Sequence, residues 1–290
     1  MPRRCWLRRA LALAVLALLL LIALSTTYLA YQQHYENDGG VTLHVYLCAA
    51  GREAWEKVIT LFEEETGIKV DVVYGSSGEL LARIAAGAPA DVYAPASPRY
   101  MIEAVERGLV DPSTVRPVAF LIPVIAVPAG NPANVRSIYD LARPGVKVAL
   151  ADTRAAAIGA HSVEILRRAG ILDDVMDNVV AYADTFTRLV SLVVTGAVDA
   201  TIAWHAIKYW YPDRVETIPL PSNLVNASWI PIAVTTHSKN PDTALRFVEF
   251  VTTDPRARKV FLELGYIVDV KEALEHAEGV EAEWLISSTS

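Results

Sequence analysis

Val73-Tyr-Gly-Ser-Ser-Gly-Glu-Leu-Leu-Ala-Arg-Ile-Ala-Ala-Gly-Ala-Pro-Ala-Asp-Val92 is the stretch whose reading decides the fold. It predicts a strand that ends near Tyr74, a small polar turn, a helix over 80–86 stopped at Gly87, and a short strand over 91–94. A strand–turn–helix join of this kind aims free backbone N–H groups, together with the hydroxyls of Ser76 and Ser77, at one point. Such a point holds an anion. Ser76 and Glu79 also satisfy the S-x-x-E capping box, so helix capping alone is the competing account of the same residues.

Outward from this stretch the pattern repeats. Residues 41–47 alternate and are β-branched, as a strand requires, and 53–66 carry helical periodicity through Ala54, Val58, Ile59, Leu61 and Phe62 before Gly67. A strand over 68–74 follows, and after 91–94 comes a helix over 98–107 that stops at Gly108. This strand–helix alternation is the signature of an α/β protein with an open, mostly parallel sheet. A second series has strands over 146–150, 179–182 and 200–204, with helices over 160–169 and 187–195 closed by Gly170 and Gly196.

Two apolar extended runs broken by prolines, 117–128 and 227–235, separate the series, and a helix over 241–252 follows the second. Two crossings imply a two-strand hinge, with the chain returning to complete its first lobe. The expected organisation is a leader over 1–31, lobe 1 over 41–119 plus 233–275, lobe 2 over 120–232, and a C-terminal tail over 276–290. The cleft between the lobes is then the site.

Arg3, Arg4, Arg8 and Arg9 precede an apolar run over 10–24, the basic and apolar regions of an export signal. The run extends toward Tyr31, which leaves open a cleaved signal peptide or a retained membrane anchor. Either way residues from about 40 onward lie outside the cytoplasm. Of the two cysteines, Cys5 precedes the apolar run, so Cys48 stands alone beyond it, and neither disulfides nor a thiolate metal site are expected. The formal net charge is -7, and without the four leader arginines the remainder is more acidic still. Nucleic acid, which demands a basic face, is excluded as a partner.

Catalytic and metal readings find little support. Ser76 or Ser77 with His161 or His205 and Asp91 supply the residue types of a nucleophilic triad, but no G-x-S-x-G elbow is present. His161, His205 and Glu164 match no metal-ligand spacing. Arg52 and Arg154 read as surface charge, and Tyr209-Trp-Tyr211 as core or lobe surface. The chain is expected to be neither an enzyme nor the holder of a cofactor.

Several stretches, in order and spacing, resemble the type II periplasmic solute-binding proteins, and specifically the molybdate/tungstate-binding components of ABC transporters. They are Tyr74-Gly-Ser-Ser-Gly with Gly87-Ala-Pro-Ala-Asp-Val92, Val127-Pro-Ala-Gly-Asn-Pro132, Ile138-Tyr-Asp-Leu-Ala-Arg-Pro-Gly, Gly196-Ala-Val-Asp-Ala-Thr-Ile-Ala-Trp204, and Ser238-Lys-Asn-Pro-Asp-Thr-Ala-Leu-Arg-Phe. The resemblance implies a monomeric, extracytoplasmic two-lobed receptor that delivers an oxyanion to a membrane permease. It implies ligand contacts at Ser77 with Ser76 beside it, at Ala50 through its backbone where the family has a serine, at the Ile158 and Phe186 amides with the Thr185 hydroxyl nearby, and at Trp204 in place of a tyrosine. Archaeal tungstate-type relatives put carboxylates where this chain has Ala157 and Ala203, so a tetrahedral anion held by donors alone is implied here. The paired tyrosines of ferric-ion-binding relatives fall at His205 and Ala206, out of register with Tyr209 and Tyr211. Molybdate or tungstate, another ligand on the same fold (sulfate, phosphate or ferric ion), and a membrane-anchored sensing ectodomain are the functions carried forward.

Overall fold

The computed structural model describes Ser25 and residues 40–282. The leader expectation therefore lies outside the described residues, as does the tail beyond Ala282. Among the described residues no helix is long and apolar enough to cross a membrane.

The first series folds as β1 (Thr42–Cys48), α1 (Arg52–Thr66), β2 (Lys69–Gly75), α2 (Ser77–Ala85), β3 (Val92–Ala94), α3 (Pro98–Glu106) and β4 (Arg116–Leu121). The second runs β5 (Pro123–Pro128), β6 (Val148–Ala151), α4 (Ala157–Arg168), α5 (Leu172–Met176), β7 (Val179–Ala183), α6 (Phe186–Val194), β8 (Ala200–Trp204), α7 (Ile207–Trp210) and β9 (Val215–Pro219). The chain then returns through β10 (Asn226–Val234), α8 (Pro241–Thr253), α9 (Pro255–Glu263), α10 (Val270–Leu274) and β11 (Gly279–Val280).

Two sheets result. In the first, β2, β1 and β3 are parallel with β1 central, and β10 joins antiparallel to β3 and carries β4 antiparallel on its other stretch. In the second, β7, β6 and β8 are parallel, followed by antiparallel β5 and β9. Both sheets are thus mixed, each a parallel set completed by antiparallel strands that the hinge crossings supply. The middle strands are covered on both faces. β8 is buried throughout and β10 from Ala227 onward, as continuous apolar runs in doubly covered sheets are.

The elements follow from local chemistry that the sequence carries. α1 buries one apolar stripe, with Trp55 edge-on to Phe261 of α9 at 5.2 Å and Phe62 edge-on to Phe247 of α8 at 5.1 Å. The returning helices therefore close the first lobe. Gly67 ends α1 in the left-handed region, φ 72°, where its N–H reaches the Glu63 carbonyl at 2.9 Å and a Cβ would be strained. Within the first sheet, Pro117 of β4 stands opposite Pro231 of β10. Neither can donate a ladder hydrogen bond, and the β4–β10 register shifts between Ile230 and Pro231.

Four expectations change. β10 pairs with strands of the first sheet, so 226–232 build lobe 1 rather than lobe 2, and the crossings fall at Ile122 and between Pro219 and Asn226. The expected tail over 276–290 contains β11, which pairs with Asn226 and Ala227. The helix expected over 80–86 opens three residues earlier at Ser77, and the one expected over 160–169 opens at Ala157. The first turns of these helices are rich in Ser, Gly and Ala, which carry no apolar periodicity to mark them.

Candidate functional site

All six expected site residues, Ala50, Ser76, Ser77, Ile158, Phe186 and Trp204, line one small cavity, joined by Cys48, Ala96, Ala156 and Ala157 among others. First-lobe and second-lobe residues contribute to it. The space open to the centre of a water-sized sphere is only about 10 Å³, roughly one water.

Helix starts build the walls. Ala50 lies in the tight turn Ala49–Gly51 that leads into α1, and its carbonyl accepts from the Tyr266 hydroxyl at 2.6 Å, which fixes the turn. Ser77 opens α2, Ile158 lies in the first turn of α4, and Phe186 opens α6. Helix geometry leaves first-turn N–H groups without intrahelical acceptors, and the partial positive ends of the helices add to them. Trp204 ends β8 beneath these starts, with its ring 5.2 Å from that of His161 at a steep angle.

The two serines have different tasks. The Ser77 hydroxyl oxygen accepts from the Ala96 N–H at 3.0 Å, and the Ser77 carbonyl accepts from the Tyr93 hydroxyl at 2.8 Å. The hydroxyl proton of Ser77 remains for donation. Ser76 occupies the N-cap position with extended backbone but makes no side-chain cap bond, and Glu79 pairs with Arg83 at 2.8 Å. The capping-box account of this motif is therefore overturned: an i,i+4 ion pair takes the carboxylate the box needs. Thr185 does cap, accepting from the Arg188 N–H at 3.2 Å, so its hydroxyl oxygen serves α6.

No charged side chain lines the cavity. Burial pushes the Cys48 thiol up to about 12, so it stays neutral. The walls offer donors, neutral sulfur and apolar surface, and no carboxylate acceptor.

The lobes touch directly over this site. Gly78 N–H donates to the Ala155 carbonyl at 3.1 Å, the Tyr100 hydroxyl to the Arg154 carbonyl at 3.1 Å, and Arg99 to the Thr153 carbonyl at 3.3 Å. A Cβ on Gly78 would meet the Arg154 carbonyl oxygen at 2.6 Å. The last glycine of Tyr74-Gly-Ser-Ser-Gly is thus required by the opposite lobe, a role no local pattern announces.

The alternative chemistries do not assemble. Asp91 accepts from the His44 N–H at 2.8 Å and the Ser238 hydroxyl at 2.6 Å, which ties β1 to the turn before α8 and away from any serine–histidine pair. His205 is half-buried at the hinge. Its Nδ1 accepts from the Ile122 N–H at 3.1 Å, and burial, then Lys208, hold its pKa down to about 4. His161 sits 3.2 Å from Glu281 instead of from Glu164. Among the described residues no group of three or more His, Cys, Asp or Glu could hold a metal ion. Arg52 pairs with Glu56 at 2.9 Å over the Tyr74 ring, and Arg154 is exposed. Trp210 packs on Phe186 at 5.7 Å, and Tyr209 is half exposed.

The sequence profile of the family described as "Bacterial extracellular solute-binding protein" matches residues 43–267. A putative binding protein of Haemophilus influenzae is 27% identical over 225 residues, covering 78% of this chain and 90% of its own. The molybdate-binding protein ModA of Mycobacterium bovis is 26% identical over 233 residues, covering 79% and 85%. Among solved structures, the periplasmic molybdate-binding protein of Azotobacter vinelandii superposes with a TM-score of 0.71 at 21% identity, over 78% of this chain and 99% of that one. The sulfate-binding protein SubI of Mycobacterium tuberculosis does so with 0.71 at 20% identity, over 85% and 96%.

Proposed function

Because the chain belongs to the bacterial extracellular solute-binding protein family, we propose that it captures a tetrahedral oxyanion, molybdate or tungstate, in the interlobe cavity and hands it to the permease of an ABC importer. Binding proteins of these importers are extracytoplasmic and are not enzymes. The observation that carries the ligand class is the convergence of the Ser77, Ile158 and Phe186 helix starts on a cavity without a charged side chain. Amides and hydroxyls at helix starts stabilise a compact anion, and a site with no carboxylate to accept a proton favours a fully deprotonated dianion over one that must donate a proton. Monohydrogen phosphate is disfavoured on that ground.

Capture proceeds by lobe closure. With room for about one water, the cavity admits an anion with four oxygens only when the lobes part at Ile122 and at the return to β10. The lobes then close to a slightly wider setting, with donors from both sides on one ion. Trp204 sets the size of that ion, as the largest side chain lining the cavity. Sulfate, the smaller anion, is the second reading, favoured by the tightness of the cavity and by the sulfate-binding relative of the same fold.

Calorimetric titration of the purified chain with molybdate, tungstate, sulfate and phosphate tests the proposal. Molybdate or tungstate should bind at least about tenfold more tightly than sulfate, a difference of about 1.4 kcal/mol, and phosphate should bind weakly. Equal or tighter sulfate binding would transfer the assignment to sulfate. Heat from a sugar, an amino acid or ferric ion and from no oxyanion would remove the ligand class altogether.

A further inference from the structure

The C-terminal strand lies across the closed cleft. β11 pairs with Asn226 and Ala227 of β10, the Glu281 N–H donates to the Ala227 carbonyl at 2.8 Å, and the Trp229 indole donates to the Glu281 carbonyl at 2.8 Å. The backbone of Glu281 is thereby fixed to the first lobe. Its carboxylate accepts from the Ser97 hydroxyl at 2.9 Å and the Ser228 hydroxyl at 2.8 Å, both first-lobe groups, and reaches His161 Nε2 of the second lobe at 3.2 Å. Burial pushes this carboxyl up, but the hydrogen bonds and charge of His161 and the hydroxyls of Ser228 and Ser97 outweigh burial and hold it below the usual glutamate range. His161 lies one turn into α4, whose first turn lines the cavity, and its ring backs the ring of Trp204. A second, exposed contact, Glu278 to Arg168 at 3.3 Å, ties the same strand to the far end of α4.

We propose that Glu281 is an interlobe latch: anchored on the first lobe, it grips His161 on the second and so positions α4 and Trp204 in the closed arrangement of the ligand cavity. The geometry is that of a half-buried carboxylate whose partners come from both moving bodies, so opening the cleft strips it of the His161 contact. A half-buried carboxylate that holds three side-chain partners at once loses a charge-assisted hydrogen bond when His161 departs, which makes the contact a lever on the open–closed equilibrium. The exposed Glu278–Arg168 pair contributes little by comparison. The inference rests on the reading that the interlobe cavity is the ligand site, and its first test needs no ligand.

Hydrogen–deuterium exchange of the full chain, without added anion, compares the native protein with Glu281→Gln, Glu281→Ala and His161→Ala. Amides of 75–78 and 156–159 should exchange at least about threefold faster in all three variants, because those amides open with the cleft. Molybdate titration should then show about a tenfold weaker Kd for Glu281→Ala, with Glu281→Ala/His161→Ala no weaker than the poorer single variant, the signature of one shared contact. Unchanged exchange at the cleft, or faster exchange confined to 276–282, would overturn the latch, as would fully additive losses in the double variant. Glu281→Gln keeps the shape and the serine contacts, so it decides the matter if Glu281→Ala unfolds. A native protein that ignores every oxyanion would remove the proposed function while leaving the exchange result to judge the latch.

Discussion

Gly78→Ala separates binding from folding more sharply than any other single change. In the closed arrangement its new Cβ would stand 2.6 Å from the Arg154 carbonyl oxygen and 3.3 Å from both the Ala155 carbonyl oxygen and the Tyr100 ring, where ordinary contact begins near 3.4 Å. The obstacle is backbone, which cannot rotate aside, so the lobes must stand off by several tenths of an ångström. Overpacking of this kind costs about 1–3 kcal/mol, and stretching the Gly78–Ala155 hydrogen bond about 1 kcal/mol more. Some of that is relieved because an anion already holds the lobes a little apart. A net penalty of about 2 kcal/mol on closure weakens binding about 30-fold. The effect on the fold has the opposite sign. Gly78 lies inside α2 at a negative φ, where alanine is favoured over glycine by about 0.5–1 kcal/mol. Calorimetric titration with molybdate and thermal melting without it are the paired assays. Affinity within twofold of native, or a fall in melting temperature that matches the affinity loss, would refute the claim that this glycine serves the closed interface.

The serines divide in a related way. Ser77→Ala should weaken anion binding by about 1.5–3 kcal/mol and also destabilise the fold by about 1–3 kcal/mol, because the buried Ala96 N–H loses its acceptor. Ser76→Ala, with no cap bond to lose, should leave the denaturant midpoint unchanged within error; a loss of about 1 kcal/mol there would restore the capping role. His205 gives a pH dependence. Its folded pKa is depressed to about 4 from the ordinary 6.5, so the unfolded chain takes up the proton first, and stability present above pH 6.5 is lost as pH falls toward 4. Urea unfolding between pH 7 and 4.5 should show a steeper acid loss for the native chain than for His205→Asn, which keeps an acceptor for the Ile122 N–H. Parallel profiles would contradict it.

Periodicity and punctuation made most of the architecture legible. The alternation of 41–47 and the apolar stripe of α1 gave their elements directly, because each rests on contacts that one face of one element makes. The first proline-broken run contains the crossing at Ile122, but the second, 227–235, lies inside the first sheet, since the pairing of β10 is decided by partners more than a hundred residues away. The candidate site residues come from family resemblance together with the helix-start pattern, and the structure gathers these candidates around one cavity. What stayed hidden was decided across the cleft. Gly78 is read as a turn residue until Arg154 is placed against it. Ser76 and Glu79 satisfy a local rule that an ion pair to Arg83 displaces. Glu281 follows a short segment without periodicity, so nothing local marks it as the meeting point of two lobes.

Anomalous diffraction at the molybdenum edge, from crystals of the chain grown with molybdate, tests the central claim most directly. The account predicts one strong peak between the lobes, within hydrogen-bond reach, about 2.7–3.2 Å from anion oxygens, of the Ser77 hydroxyl and the Ile158 and Phe186 amides, with Trp204 against the ion. A peak on the outer surface of either lobe, or none between Ser77 and Phe186 in crystals saturated with molybdate, would contradict it.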